Sequence, residues 1–197
     1  MKLSSVCVGL AAAALTGMAL PALAATVVID FDSIANNAHV NQFYNGGLDS
    51  LGGSGPNFGI DFSAFVTATS LSAPTSPPRY VYVTKPTGIV NVAAGFTGFS
   101  FAYGTLAPAT LSVFSGLNGT GTLLGNQVVN GNSSAFGSSA VTFSGVGRSV
   151  TLASMPNYAG VDDLRFEMAQ PVPEPGSWAM LLAGFGVLGI LARRRTR

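Results

Sequence analysis

The chain is 197 residues long, enough for one domain of ordinary size with further segments at its ends. Charged residues make up only 9% of it, against about 25% in an average soluble domain. Between Ala25 and Gln170 there are seven acidic and four basic residues, which leaves this part at a net charge of −3. Because this part has no basic patch, the composition argues against nucleic acid as a partner.

Residues 1–24 have the three parts of a secretory signal peptide. Lys2 is the positive N-terminal region, Val6–Leu20 is the apolar core, and Ala22–Ala24 is a small-residue cleavage site for signal peptidase. A permanent transmembrane helix is the alternative, but a proline and alanines follow the core instead of a charged stop. Cleavage would remove Cys7, the only cysteine, so the exported domain depends on a buried core rather than on disulfides.

Residues 25–169 alternate apolar and polar side chains with a period of two, and glycine and proline interrupt them often, which predicts short strands. About ten strands are expected, at Thr26–Phe31, Phe58–Val66, Arg79–Thr84, Ile89–Ala94, Phe96–Tyr103, Ala109–Ser115, Leu123–Val129, Ala140–Phe143, Arg148–Leu152 and Val161–Met168. The dipeptide Asn118-Gly119 predicts a hairpin. The sequence therefore predicts an all-β ectodomain, an antiparallel two-sheet β-sandwich of the jelly-roll type.

Residues 170–176 form a proline-rich linker. Pro173, Glu174 and Pro175 stand together in it, and the prolines favour an extended connector over a strand. The uncharged run that follows, residues 177–192, would be about 24 Å long as a helix. That length is marginally short for a transmembrane helix, and a buried soluble helix is the alternative.

A basic segment, residues 193–197, ends the sequence. Its cluster of Arg193, Arg194 and Arg195 is a membrane stop that predicts a cytoplasmic C-terminus, with the β-domain on the outer side.

This tail resembles the sorting signal of PEP-CTERM proteins, which are exported proteins of Gram-negative bacteria that make extracellular polysaccharide. The resemblance rests on Pro173-Glu174-Pro175, the apolar helix and the arginine cluster, in that order behind a signal peptide. It implies cleavage near the Pro-Glu-Pro by an exosortase, a membrane cysteine protease-transpeptidase. The inner-membrane precursor would then be delivered to the cell surface or a biofilm matrix. The body is loosely similar to other ectodomains with this signal, for example at Gly160–Phe166, and these have no assigned activity.

Residues suited to catalysis are scarce. His39 is the only histidine, and it lies in an asparagine-rich segment typical of a protein surface. A Ser-His-Asp triad on His39 stays open because triads are spatial, whereas one histidine cannot form a zinc site. We therefore expect a non-catalytic structural, adhesive or polysaccharide-associated protein. A secreted enzyme that acts on glycans through two carboxylates is the alternative.

Four aspartates are candidate calcium ligands. Asp30 and Asp32 share a side-chain direction on the predicted first strand, and Asp162 and Asp163 begin the predicted last strand. The first and last strands of a jelly roll commonly lie close together, so these carboxylates could converge, and calcium prefers such oxygen ligands. The pattern predicts a calcium site and, as an alternative function, a calcium-dependent carbohydrate-binding module. The same aspartates could instead protect a strand edge or pair with arginines.

Tyrosines are the candidate sugar-stacking residues, because they combine a flat apolar ring with a polar tip. Tyr80 and Tyr82 alternate with valines, so either the tyrosines or the valines are expected to face solvent, and Tyr44 and Tyr158 lie in polar loops. All four could equally be ordinary strand residues.

Overall fold

The computed structural model describes residues 25–69, 78–131 and 136–169. These segments form ten strands, which are β1 (Thr26–Ile29), β2 (Ile60–Ser63), β3 (Phe65–Thr69), β4 (Arg79–Val83), β5 (Thr87–Thr105), β6 (Ala109–Phe114), β7 (Leu123–Val129), β8 (Gly137–Val141), β9 (Gly147–Ala153) and β10 (Ala159–Met168). All strand pairs are antiparallel and belong to one hydrogen-bonded sheet. The prediction of an all-β antiparallel domain is confirmed.

The predicted signal peptide and C-terminal helix lie outside the described residues. Within the described segments, no helix is long and apolar enough to cross a membrane.

Strand β5 organises the sheet because it changes neighbours along its 19 residues. Its first half pairs with β2 and β9, and its second half pairs mainly with β8 and β10. Gly95 stands between the halves at φ 77°, a conformation that glycine adopts without steric cost. The sequence predicted two strands here, Ile89–Ala94 and Phe96–Tyr103. That prediction was wrong because the glycine bends the strand without ending it.

At Ala64 the sequence prediction missed the end of a strand. The sequence predicted one strand over Phe58–Val66, but Ala64 has φ 67° and separates β2 from β3. A residue with a Cβ is unfavourable in this conformation, so alternation alone did not reveal the break. Strand β8 also ends at Val141, earlier than the predicted Ala140–Phe143.

One hydrophobic cluster fills the interior, and every strand contributes to it. The predicted inward faces are confirmed, since Phe99 and Phe101 on β5 and Leu164, Phe166 and Met168 on β10 are all buried. Aromatic contacts join the two strands, with the Phe166 ring 5.0 Å from the Phe99 ring between centroids. Because these side chains point inward, the alternate residues of β5 and β10 must point outward.

The predicted Asn-Gly hairpin is confirmed between β6 and β7. Its loop is held against the sheet by two buried polar side chains. Asn91 accepts the Asn118 N–H at 2.7 Å and donates to the Asn118 side-chain oxygen at 2.8 Å. The Ser149 hydroxyl accepts the Gly119 N–H at 2.9 Å and donates to Gly116 O at 2.6 Å. The loop is therefore a fixed part of the fold.

Candidate functional site

The outward face of the second half of β5 carries only small side chains. Phe99, Phe101 and Tyr103 face the core, so the alternate positions, Gly98, Ser100, Ala102 and Gly104, form the opposite row. The longer outward side chains of β10 therefore stand above this row, and the row itself is the floor of a depression.

The strand register determines which side chains flank this floor. Ser100 lies opposite Arg165 of β10 on one side and Ala140 of β8 on the other. Gly98 lies opposite Glu167, which in turn lies opposite Thr26 of β1. An exposed arginine and an exposed glutamate thus stand two residues apart on one strand, beside small residues on the next strand.

A β-bulge in β10 turns Arg165 towards this face. The register shifts between Asp162 and Arg165, where three steps along β10 match two along β5. Asp163 is the extra residue, and its φ is 46°. A bulge of this kind re-aims the side chains that follow it. If the strand were regular through Asp163, alternation would put Arg165 on the same side as Val161, which is buried in the core.

The result is a groove of about 450 Å³ lined by Thr26, Gly98, Ser100, Ala140, Arg165 and Glu167. Its volume is in the range of small-molecule sites, about 300–1,000 Å³. The Glu167 side chain lies over Gly98, where an added Cβ would come within 2.6 Å of Oε2. Among the described residues, neither the Arg165 guanidinium nor the Glu167 carboxylate has a side-chain partner. A donor and an acceptor are therefore available to one ligand.

The four aspartates that were predicted as calcium ligands occupy different positions on the strands from those expected. Strand β1 ends at Ile29, because Phe31 turns its buried ring inward at φ 60°. Asp30 and Asp32 therefore lie beyond the end of β1, whereas the sequence predicted that they lie on the first strand. The Asp32 carboxylate accepts the Arg79 N–H at 2.9 Å.

Asp162 and Asp163 lie inside β10 and do not begin it, since the strand starts at Ala159. Asp162 is fully buried and accepts the Asp163 N–H at 2.8 Å. Burial raises the pKa of the Asp32 carboxyl, and the negative charges of Asp30 and Asp163 raise it further, against the lowering effect of Arg79.

Asp30 and Asp163 therefore both act electrostatically on Asp32, while Asp162 is buried in the strand. Among the described residues, no group of three or more acidic, histidine or cysteine side chains is placed to hold a metal ion. Calcium binding by Asp30, Asp32, Asp162 and Asp163 stays a prediction that nothing in this arrangement supports.

The four tyrosines occupy different environments. Tyr80 and Tyr82 are half-buried on the outward face of β4, opposite the buried Val81 and Val83, as expected. Tyr44 is buried, contrary to the expectation of an exposed ring, and its ring centroid lies 5.0 Å from that of Phe43.

Tyr158 is 44% exposed at one end of the sheet, beside the exposed Leu106 and Met155. Hydrogen bonds hold these three residues together, because Leu106 N–H donates to Tyr158 O and Tyr158 N–H donates to Met155 O. They form an apolar end that is separate from the groove.

Sequence reasoning found the inward face of β5 and missed its outward face. The signal was present, because Gly98, Ser100, Ala102 and Gly104 alternate with the aromatic residues. Sequence reasoning did not place Arg165 and Glu167 beside this row, because their position opposite Ser100 and Gly98 depends on a strand register that the bulge shifts and alternation does not encode. His39 is exposed, its N–H donates to the Ser50 hydroxyl, and it does not line the groove.

The PEP-CTERM protein-sorting motif matches residues 171–195. This stretch includes Glu174 of the Pro-Glu-Pro and the arginine cluster. The chain carries a PEP-CTERM sorting domain. The sorting motif implies export, processing by an exosortase and sorting to the cell surface.

The described fold is similar to several solved structures. A family 29 carbohydrate-binding module is 10% identical with a TM-score of 0.43, covering 72% of this chain and 91% of the module. A family 6 carbohydrate-binding module is 22% identical with a TM-score of 0.37, covering 56% and 86%. A glycoside hydrolase family 43 arabinoxylan arabinofuranohydrolase from Bacillus subtilis is 16% identical with a TM-score of 0.40, covering 52% of this chain and 24% of the hydrolase.

The chain thus spans about a quarter of the hydrolase's length. TM-scores of this size do not establish a shared fold. No curated protein matches this chain in sequence.

Proposed function

We propose that this protein is an exported surface or extracellular-matrix protein that binds extracellular polysaccharide through the groove, without chemical conversion. The observation that carries the proposal is that Arg165 and Glu167, which have no side-chain partner among the described residues, lie beside the small-residue floor of β5. Sugar hydroxyls both donate and accept hydrogen bonds, so a guanidinium and a carboxylate on one face complement them. The sorting motif supports this role because it implies delivery to the cell surface.

The residues of the groove support binding over hydrolysis. Glycoside hydrolases use two carboxyl groups that flank the scissile bond. Among the described residues that line the groove, Glu167 alone has a carboxylate. A secreted glycan-active enzyme is therefore the less favoured reading. A calcium-dependent module is also less favoured, because the aspartates lack a ligand set.

We also infer that the continuous sheet is folded into a two-layered sandwich of the jelly-roll type. All ten strands share one core, and β5 joins the β2–β9 half to the β8–β10 half. Such a fold leaves the outward face of the second half uncovered by the first. The groove lies on this outward face.

The proposal is tested by measuring the affinity of the protein for the extracellular polysaccharide of the cells that produce it. We expect Arg165→Ala to weaken binding by about tenfold or more, equivalent to roughly 1.4 kcal/mol. Stability should change by less than about 0.5 kcal/mol because Arg165 is exposed. Arg148→Ala is the matched control, an exposed arginine on β9 that does not line the groove. Equal affinity of the two variants and the wild type would contradict the proposal.

The membrane-anchored precursor is a separate part of the proposal. The uncharged run 177–192 and the cluster at Arg193–Arg195 would hold the chain in the inner membrane until the exosortase acts near Glu174. We expect Glu174→Ala to leave the full-length chain in the inner-membrane fraction, measured by cell fractionation. Unchanged release of the processed form from this variant would show that the motif is not used.

A further inference from the structure

We propose that the ligand is an extended polysaccharide chain that lies along β8, with a second, aromatic subsite at Tyr80 and Phe136. This inference rests on the proposed function and adds the substrate class, a linear chain of several sugar units in place of a single sugar or a chain end. It comes from side chains outside the groove on the same outward face.

The aromatic subsite is built on glycines. The Tyr80 ring lies over Gly160 of β10, where an added Cβ would approach Cδ2 of the ring to 2.7 Å. The Phe136 ring lies over Gly104 of β5, with an added Cβ 3.0 Å from Cε2. The two rings meet edge to face, with centroids 5.6 Å apart and planes at 69°. The register places these glycines directly opposite each other.

Both rings are half-exposed, although each covers a glycine. Large side chains at Gly104 or Gly160 would push the rings away from the sheet, so the small residues set the height of the rings. The arrangement holds two aromatic faces rigidly beside the small-residue row. Rigid aromatic side chains provide large contact area at low entropic cost.

An exposed path connects the aromatic subsite to the groove. The outward residues of β8 after Phe136 are Ser138 and Ala140, and both are small and exposed. Ala140 lines the groove, opposite Ser100. Four residues of strand separate Phe136 from Ala140, a length of about 13 Å. This distance requires a ligand of several linked units to contact both ends.

The chemistry of the two ends is complementary for one kind of ligand. Arg165 and Glu167 offer hydrogen bonds to hydroxyl groups, and Tyr80 and Phe136 offer apolar surface. A sugar ring has hydroxyls at its edge and C–H groups on its faces, so a polysaccharide chain presents both surfaces repeatedly. The small residues between the two ends leave room for intermediate sugar units of the chain, which make few contacts with the protein.

The test is the dependence of affinity on chain length. The extracellular polysaccharide of the producing cells is partially hydrolysed and separated into a ladder from monosaccharide to oligosaccharides longer than the face. For the wild type, we expect affinity to rise with length until the chain reaches the rings. Tyr80→Ala should lower the affinity for long chains by about tenfold and leave the affinity for short chains unchanged. Arg165→Ala should lower the affinity for chains of every length.

Two further variants separate binding from folding. Tyr80→Phe keeps the ring and should retain the affinity for long chains. Ser138→Gln places a neutral, bulky side chain at an exposed point between the two ends. It should therefore lower the affinity for long chains and leave the affinity for short chains unchanged. Thermal unfolding of each variant shows whether the fold is intact.

Affinity that does not depend on length, or an equal loss at all lengths in Tyr80→Ala, would overturn the extended-chain inference while leaving groove binding in place. An unaltered affinity for long chains in both Tyr80→Ala and Ser138→Gln would also overturn it. The absence of binding at every length in the wild type would overturn the proposed function as well.

Discussion

Asp163 is the residue whose backbone conformation determines the direction of the charged side chains in the groove. It is the additional residue of the bulge in β10, and its φ of 46° is unfavourable for most residues with a Cβ but accessible to aspartate, asparagine and glycine. In a regular strand Asp162 and Leu164 would share a face, but the bulge puts Leu164 in the core while Asp162 lies opposite Ala102 of the outward row.

Asp163→Val is therefore expected to be destabilising. A β-branched side chain strongly disfavours a positive φ, and without the bulge either Arg165 or the apolar residues before it would move to the wrong face of the strand. A side chain held in such a conformation costs about 1–3 kcal/mol, so we expect the free energy of unfolding to fall by about that amount, measured by chemical denaturation.

Asp163→Gly is the control, since glycine keeps the bulge and accepts a positive φ. It also removes a negative charge that raises the pKa of the Asp32 carboxyl. We expect this variant to fold with stability within about 1 kcal/mol of the wild type and to bind polysaccharide. An Asp163→Val variant as stable as Asp163→Gly would show that the bulge does not set the direction of Arg165.

At the scale of an element, the β6–β7 hairpin depends on a buried asparagine. Asn91 is 8% exposed, and its amide both donates to and accepts from Asn118. It also donates to the Asp61 carboxylate at 3.1 Å. The hairpin loop is thereby tied to β5 and β2.

We expect Asn91→Ala to lower the free energy of unfolding by about 1–3 kcal/mol, because polar groups of the loop lose their partner. The matched control is Asn126→Ala on β7, where the side chain is exposed, and its effect should be below about 0.5 kcal/mol. Thermal or chemical unfolding measures both. Similar losses in the two variants would mean that the contacts of Asn91 do not stabilise the loop.

The same elements show how much of the fold the sequence could predict. Alternation predicted the inward residues of β5 and β10 correctly, because burial of a period-two face dominates strand formation. The Asn118-Gly119 dipeptide predicted its hairpin because few sequences favour a turn with positive φ so strongly.

Other features depend on single backbone conformations that no pattern reveals. The bend at Gly95 was read as a strand end, and the break at Ala64 was missed because alanine rarely has a positive φ. The left-handed conformation of Phe31 likewise moved Asp30 and Asp32 off the predicted strand. The candidate site was less predictable than the fold, since the position of its charged residues opposite the small residues of β5 depends on a register that the bulge at Asp163 shifts.

At the scale of the whole molecule, the folded domain and the sorting motif are both compatible with one role, the binding of extracellular polysaccharide at the cell surface. Among the described residues, the outward faces of β8, β10 and the second half of β5 carry no large apolar side chain, and the rings of Tyr80 and Phe136 lie beside them. The apolar end at Leu106, Met155 and Tyr158 lies elsewhere. The domain has low charge overall, so its recognition of a ligand depends on a few placed groups. After export of the protein to the cell surface, this face would be exposed to extracellular polysaccharide.

The most direct test of this account is a titration of the isotopically labelled protein with that polysaccharide, followed by backbone amide chemical shifts. We predict that the perturbed amides map to Gly98, Ser100 and Arg165 and extend along β8. Perturbations confined to the apolar end at Leu106 and Tyr158, or no perturbation at saturating polysaccharide, would contradict the assignment of the outward face as the binding surface.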